Sequence, residues 1–178
     1  MGKIIAAIRN AEELNSALES KADIVFMLST NIEKLKEQIE LVHKNGKKLF
    51  VHIDLADGIG KDEYGIKYVK NLGVDGIIST RINMIKLAKK HGIYTVQRFF
   101  IVDTHSVKTT VETVKASKPD MIEIMPGTVP KIIKKLKSEL DMPIVAGGLI
   151  ETKEEIADAI ISGAEAVSTG KKELWEII

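Results

Sequence analysis

The sequence predicts a single α/β domain over residues 1–178, a compact (β/α)8 barrel of the TIM type. Three observations predict it. Short β-rich runs alternate with amphipathic helical stretches from end to end, an order that folds into a parallel sheet with helices outside it. Eight such units occur, the number that closes a barrel. Runs such as Ile24-Val25-Phe26-Met27-Leu28 are apolar at every position, as strands covered on both faces are. An open doubly wound sheet is the alternative. With 178 residues for eight units, connections must be short, which leaves no room for a lid domain or long insertion.

The elements follow in order. Strand Lys3–Ile8 leads to a helix that Asn10 caps, with Glu13 three residues on to accept from a cap amide. After strand Ile24–Leu28, Thr30 and Glu33 repeat that signal. Ile32, Leu35, Ile39 and Val42 then form one apolar stripe, and Gly46 stops the helix. Strands Lys48–Asp54 and Gly73–Ser79 come next, and Gly92 ends the helix after the latter. Strand Tyr94–Arg98 precedes a long helical stretch and then strand Met121–Met125. Pro130 suits the first turn of the next helix, where a missing amide proton costs nothing. That helix buries Ile132, Ile133, Leu136 and Leu140 and carries Lys131, Lys134 and Lys135 elsewhere around the cylinder. Strand Pro143–Ala146 leads to a helix opened by Thr152 and Glu155 and closed by Gly163. Strand Ala164–Thr169 leads to a short terminal helix, Lys171–Ile178.

Composition narrows the function. Hydrophobic residues make up 44% and charged residues 29%, ordinary for a soluble domain. No apolar run reaches the ~20 residues of a membrane helix, and the start lacks a signal peptide, so a cytoplasmic protein without a membrane partner is expected. Cysteine is absent, which excludes disulfides and thiolate metal sites. No HxH or HExxH spacing, P-loop, GxSxG elbow or dinucleotide fingerprint occurs, so neither a metal nor a cofactor is expected. No lysine lies inside a strand near its C-terminal end, where a Schiff-base aldolase would need one. A net charge of +1 gives no strong pull toward nucleic acid.

In this fold, chemistry gathers at the C-terminal ends of the strands, and a phosphate site is commonly built from the loops after the seventh and eighth. Those loops carry Gly147-Gly148 and Ser168-Thr169-Gly170. Without Cβ atoms, the glycines let an anion approach their amides. The two hydroxyls add donors, and the terminal helix would present its positive end. The bland alternative is a tight turn and a helix cap. Arg81 and Arg98 also lie at strand ends, each fitted by its planar fork to phosphate or carboxylate. Arg98 either meets ligand or pairs with Glu123 or Asp54. Asp54, Asp103 and Glu123 either accept from ligand hydroxyls and act as bases, or hold the arginines and His52 in place. His52 is either an acid–base group or a structural histidine. His43 and His91 are expected at the surface.

At these strand ends the chain resembles the glycerol uptake operon antiterminator regulatory proteins, over almost its whole length. The resemblance rests on Ala7-Ile8-Arg9-Asn10, Val51-His52-Ile53-Asp54-Leu55, Asp62-Glu63-Tyr64-Gly65 and Gly76-Ile77-Ile78-Ser79-Thr80-Arg81. It continues with Gln97-Arg98-Phe99-Phe100, Pro119-Asp120-Met121-Ile122-Glu123, Met125-Pro126-Gly127, Ala146-Gly147-Gly148-Leu149-Ile150 and Leu174-Trp175. The resemblance implies a cytoplasmic regulator that takes glycerol 3-phosphate as effector and binds leader mRNA of glycerol-utilisation genes. On that implication Gly147, Gly148, Ser168, Thr169 and Gly170 hold the phosphate. By position, some of His52, Asp54, Arg81, Arg98 and Glu123 meet the hydroxyls. After Ser168-Thr169 the family usually continues with serine, and here Gly170 keeps an amide but loses a hydroxyl. Aromatic residues are only 4%, so no stacking platform for RNA is evident. The lysines Lys47-Lys48, Lys89-Lys90, Lys131-Lys134-Lys135 and Lys171-Lys172 are the candidate phosphate contacts. Two other readings stand beside this one: an enzyme acting on a small phosphorylated metabolite with Asp54, Glu123 or His52 as acid–base groups, and a ligand sensor working through a protein partner. A homo-oligomer fits a compact barrel with little extended surface.

Overall fold

The computed structural model describes residues 3–177. Eight parallel strands close into a barrel in sequence order, with the last paired to the first. They are β1 (Lys3–Ile8), β2 (Ile24–Met27), β3 (Lys48–His52), β4 (Gly76–Ser79), β5 (Tyr94–Phe100), β6 (Met121–Met125), β7 (Ile144–Gly147) and β8 (Ala166–Thr169). The helices between them are α1 (Ala11–Glu19), α2 (Leu35–Lys44), α3 (Glu63–Leu72), α4 (Ile82–Lys90), α5 (Thr104–Ser117), α6 (Pro130–Glu139) and α7 (Lys153–Ile161). Closure removes the open-sheet alternative.

Local chemistry accounts for most of these boundaries. Asn10 caps α1 through the Glu13 amide, although the Glu13 carboxylate accepts from Arg9 rather than from Asn10. Thr152 and Glu155 form a reciprocal capping box on α7. Gly46, Gly92 and Gly163 follow helix ends with positive φ, as expected. Leu35, Ile39 and Val42 of α2, and Ile133 and Leu136 of α6, are buried against the strands.

Five expectations are corrected. Thr30 does not cap α2: it lies in a two-residue strand, Thr30–Asn31, that pairs with Ala56–Asp57, and Asn31 receives the amides of Glu33 and Lys34 instead. Ile32 is accordingly outside the buried stripe, at 41% exposure. Ile53 and Asp54 leave the sheet in a single 3-10 turn, Ile53–Leu55. Gly73 ends α3 in a left-handed conformation instead of starting a strand. The terminal segment is a five-residue 3-10 helix, Lys172–Glu176, and Ile178 lies outside the described residues.

Side chains alternate along each strand between the helices and the barrel axis. The axial positions sort by height. Ile5, Phe26, Phe50, Ile78, Val96, Val145 and Ala166 fill the lower interior with one apolar cluster. At the next axial positions upward, β3 offers His52, β5 offers Arg98, β6 offers Glu123 and β8 offers Ser168. The barrel is therefore dry at its N-terminal end and polar where its strands finish.

Candidate functional site

Strand register assembles the centre of the site. Arg98 stands beside Glu123 across the β5–β6 pair, and Ser168 stands beside Gly147 across the β7–β8 pair. Glu123 is fully buried and takes one bond on each oxygen: Arg98 Nε donates to Oε2 at 2.6 Å, and Ser168 Oγ donates to Oε1 at 2.5 Å. A carboxylate so buried needs both partners, since removing either leaves charge or a lone pair uncompensated. Gly147 makes room for this arrangement. A Cβ there would come within 2.4 Å of Glu123 Oε1 and 2.6 Å of Ser168 Oγ.

Two buried nitrogens at this level have no partner among the described residues: Arg98 Nη2 and His52 Nδ1. Arg98 is 7% exposed and its charge is permanent, so one arm of a guanidinium already oriented by Glu123 is left without an acceptor. His52 is held neutral. Burial pushes its pKa down to about 4, and the nearby Arg98 cation acts in the same direction.

Arg98 opens onto a cleft of about 390 Å³ at the barrel mouth. Its walls include Arg9, Met125, Gly148, Gly170 and Lys171. Gly148 has φ +72° and Leu149 has φ +60°, so two consecutive residues turn left-handed. Glycine takes that conformation freely, but leucine does so at a cost of about 1 kcal/mol. Leu149 is also 72% exposed, so no core packing compensates for it. Strain of this kind gathers at functional loops. Gly170 has no such requirement: a Cβ there would make only an ordinary contact, 3.6 Å from the Ala7 carbonyl.

The hydroxyls of this region are already engaged. Ser168 donates to Glu123, and Thr169 Oγ1 donates to the Ile150 carbonyl at 2.7 Å while accepting the Lys171 amide. Lys171 is thus not a free amide at a helix start, and the five-residue 3-10 segment after it supplies no extended dipole. Trp175 Nε1 donates to the Thr169 carbonyl at 2.7 Å, which ties the terminal segment to the end of β8.

Asp54 sits apart from this cluster, in the turn after β3 and bonded to the end of β4. It accepts from Ser79 Oγ, the Thr80 amide and Thr80 Oγ1 at 2.7–3.0 Å. Burial raises its pKa, but the bonds from Thr80 and Ser79 outweigh that and leave it below the usual carboxylate range. Arg81 begins α4 with its side chain mostly in solvent and lies 4.0 Å from Asp54. Asp103 caps α5 through Ser106. The structure therefore brings together Gly147, Gly148, Ser168, Thr169, Gly170, Arg98, Glu123 and His52, and it places Asp54 and Arg81 on a neighbouring rim. His43 is exposed beside Asp75, whereas His91 is half-buried against Glu63, 2.9 Å away. Arg9, Met125 and Lys171 line the cleft but were not among the expected site residues. Applying the strand-end rule to β1 as well finds Arg9.

Among the described residues there is no cluster of three or more His, Asp or Glu side chains that could hold a metal ion. No helix among them is long and apolar enough to cross a membrane.

Comparison with known proteins gives a concordant picture. A family model described as glycerol-3-phosphate responsive antiterminator matches residues 4–175. The crystal structure of a glycerol uptake operon antiterminator regulatory protein from Listeria monocytogenes str. 4b F2365 is similar at a TM-score of 0.94 and 38% identity, covering 99% of this chain and 96% of that one. A glycerol uptake operon antiterminator-related protein from Thermotoga maritima MSB8 gives 0.89 and 34%, covering 99% of this chain and all of the other. The uncharacterized protein YgcP of Escherichia coli (strain K12) is 34% identical over 175 residues, covering 98% of this chain and 92% of that protein.

Proposed function

The chain belongs to the glycerol-3-phosphate responsive antiterminator family, and from that membership we propose that its barrel mouth is a sensor site for glycerol 3-phosphate, through which the protein regulates leader mRNA of glycerol-utilisation genes. The observation that carries the ligand half is that Arg98, whose buried Nη2 has no hydrogen-bond partner among the described residues, lines a 390 Å³ cleft. A buried guanidinium nitrogen without an acceptor is costly, and a phosphate oxygen supplies what it lacks. The cleft lies within the range of small-ligand pockets. The backbone at Gly148 and Gly170 provides the close approach a phosphate needs, with Arg9 adding positive charge and Lys171 standing 3.7 Å from Glu151 on the same wall. Ser168 and Thr169 shape this cradle by holding Glu123 and Ile150, and Gly147 keeps the Glu123–Ser168 contact compact. The neutral His52 ring lies below the cleft with its buried Nδ1 unpartnered among the described residues, and we assign it to a hydroxyl of the glycerol moiety.

A regulatory role is favoured over a catalytic one because the candidate acid–base groups are already committed. Glu123 is locked by Arg98 and Ser168, Asp54 by Ser79 and Thr80, and His52 stays neutral down to about pH 4. For Asp54 and His52 the pKa is moved down, away from neutrality.

Calorimetric titration tests the ligand half. Glycerol 3-phosphate should bind saturably and be recovered unchanged, while glycerol binds far more weakly. Arg98→Lys keeps the charge but loses the fork, and we expect at least tenfold weaker binding. Absence of heat from glycerol 3-phosphate, or equal affinity in the variant, would refute the assignment. Consumption of the ligand would restore the enzyme reading.

A further inference from the structure

We propose that a single RNA strand lies in the groove between α5 and α6, and that this groove is coupled to the mouth cleft through the loop Met125–Gly127. The proposal rests on the preceding reading that the protein acts on RNA, and it names the surface and the route.

The groove is a cavity of about 490 Å³ on the outside of the barrel. Its floor is apolar, from Ile101, Val107, Val129 and Ile132, and Lys131 and Lys135 stand along it. A further cavity of about 310 Å³ shares Thr104, Val107 and Lys135 with it and adds His105 and Lys108, so the depression continues along α5. The acidic groups along this path are Asp103, engaged as the α5 cap, Glu139 at the far end, and Glu112, which stands 4.0 Å from Lys108.

What marks this face is three lysines within five residues of one helix, Lys131, Lys134 and Lys135. Over the whole chain acids and bases nearly cancel, leaving +1. Lys89, Lys90 and Lys137 elsewhere on the surface are held by carboxylates at 2.7–2.9 Å. Lys131, Lys134 and Lys135 of α6 make no ion pair with a described residue. Lys131 and Lys135, one turn apart beside an apolar floor with Lys134 next to them on α6, match a strand whose phosphates meet lysines while its unpaired bases cover apolar side chains. A duplex keeps its bases stacked inside and has no use for such a floor.

The two cavities are lined by neighbouring residues of the same segments. Met125 lines the mouth cleft, and the next residue, Pro126, lines the groove. The Gly127 amide donates to the Gly147 carbonyl at 2.6 Å and to that of Gly148 at 3.2 Å, so the groove-side loop hangs on the cradle loop. Arg98 of the cleft and Ile101 of the groove belong to one segment, and Ile101 N donates to the Met125 carbonyl at 2.8 Å. A ligand that draws in Arg98 and Gly148 therefore pulls on both groove walls. By linkage, RNA in the groove must change ligand affinity by the same factor.

The test uses the full chain and a fluorescein-labelled single-stranded RNA of random sequence, titrated by anisotropy over a range of salt, with and without glycerol 3-phosphate. The variant Lys131→Glu/Lys134→Glu/Lys135→Glu is compared with a control of equal charge change on other helices, Lys44→Glu/Lys70→Glu/Lys86→Glu. We expect the α6 variant to bind RNA at least tenfold more weakly than the control. Its log–log salt slope should fall by about 2, and calorimetric binding of glycerol 3-phosphate without RNA should be unchanged. For the wild type, ligand should shift RNA affinity. Equal RNA binding by the two variants would overturn the groove even where ligand binding and RNA binding both hold. An RNA affinity indifferent to bound ligand would overturn the coupling. If sedimentation instead shows that the α6 variant dissociates a dimer without losing RNA, the groove is a contact between copies and the proposal fails.

Discussion

His52 is a base held neutral next to an arginine, and this has a consequence for stability. Burial is the main reason its pKa falls to about 4, and the Arg98 cation adds to it; Asp54 pulls the other way with less effect. In the unfolded chain both influences vanish and the ring titrates near 6.5. Between those values the unfolded state takes up a proton that the folded state refuses. Stability should therefore be independent of this group above about pH 6.5 and decline as the pH falls from there to about 4. The full loss amounts to about 3 kcal/mol. Asp54 falls in a different window: its folded pKa lies below the ordinary 3.8, so its contribution is present above 3.8 and lost only at more acid pH. Urea unfolding midpoints measured across pH 4 to 7 should slope for the wild type and flatten for His52→Gln. An identical slope in the variant would assign the acid sensitivity elsewhere.

At the scale of the element, the loops after β7 and β8 look alike in sequence, each carrying glycine where a phosphate cradle is expected, yet their glycines do different work. Gly147 has no room for a methyl group against Glu123 and Ser168. Gly147→Ala should cost about 1–3 kcal/mol in denaturant unfolding, through overpacking beside a buried ion pair. Gly170→Ala should change stability by no more than about 0.5 kcal/mol, and ligand affinity little, because the amide remains. Similar losses in both variants would mean that glycine acts through backbone freedom at each loop. The contrast also marks how far the sequence could be read. Capping pairs such as Thr152 with Glu155, left-handed stops such as Gly92, and the two-sided apolarity of Ile24–Met27 are local signals, and they located helices and strands to within a few residues. Thr30 carried the same local signal and was overridden, because its pairing with Ala56 is a contact 26 residues away that no local pattern encodes. The site divides in the same way. That Arg98 and Glu123 belong to it follows from strand ends. That Ser168 faces Glu123 instead of the opening depends on strand register, which the sequence does not state.

For the whole molecule, the question is how an occupied mouth is felt elsewhere in a barrel whose lower interior is packed with Ile5, Phe26, Phe50 and Val145. A dense apolar plug transmits no rearrangement cheaply, so the signal must travel in the loops above it. Thr169 connects several of them. Its hydroxyl holds the Ile150 carbonyl of the cradle loop and the Lys171 amide, and its carbonyl receives the indole of Trp175. Trp175 is the chain's single tryptophan and is 1% exposed, so its emission reports this hydrogen bond and not general solvent access. We expect glycerol 3-phosphate to change Trp175 fluorescence with the same midpoint as calorimetric binding, and glycerol at that concentration to leave it unchanged. Thr169→Val removes the hydroxyl but keeps the carbonyl, so it should preserve most of the affinity while reducing the amplitude of the change. A flat signal in the wild type at calorimetric saturation would show that the β7 and β8 loops accept ligand as a rigid cradle. The movement that reaches α6 would then have to begin at Arg98 and Met125 alone.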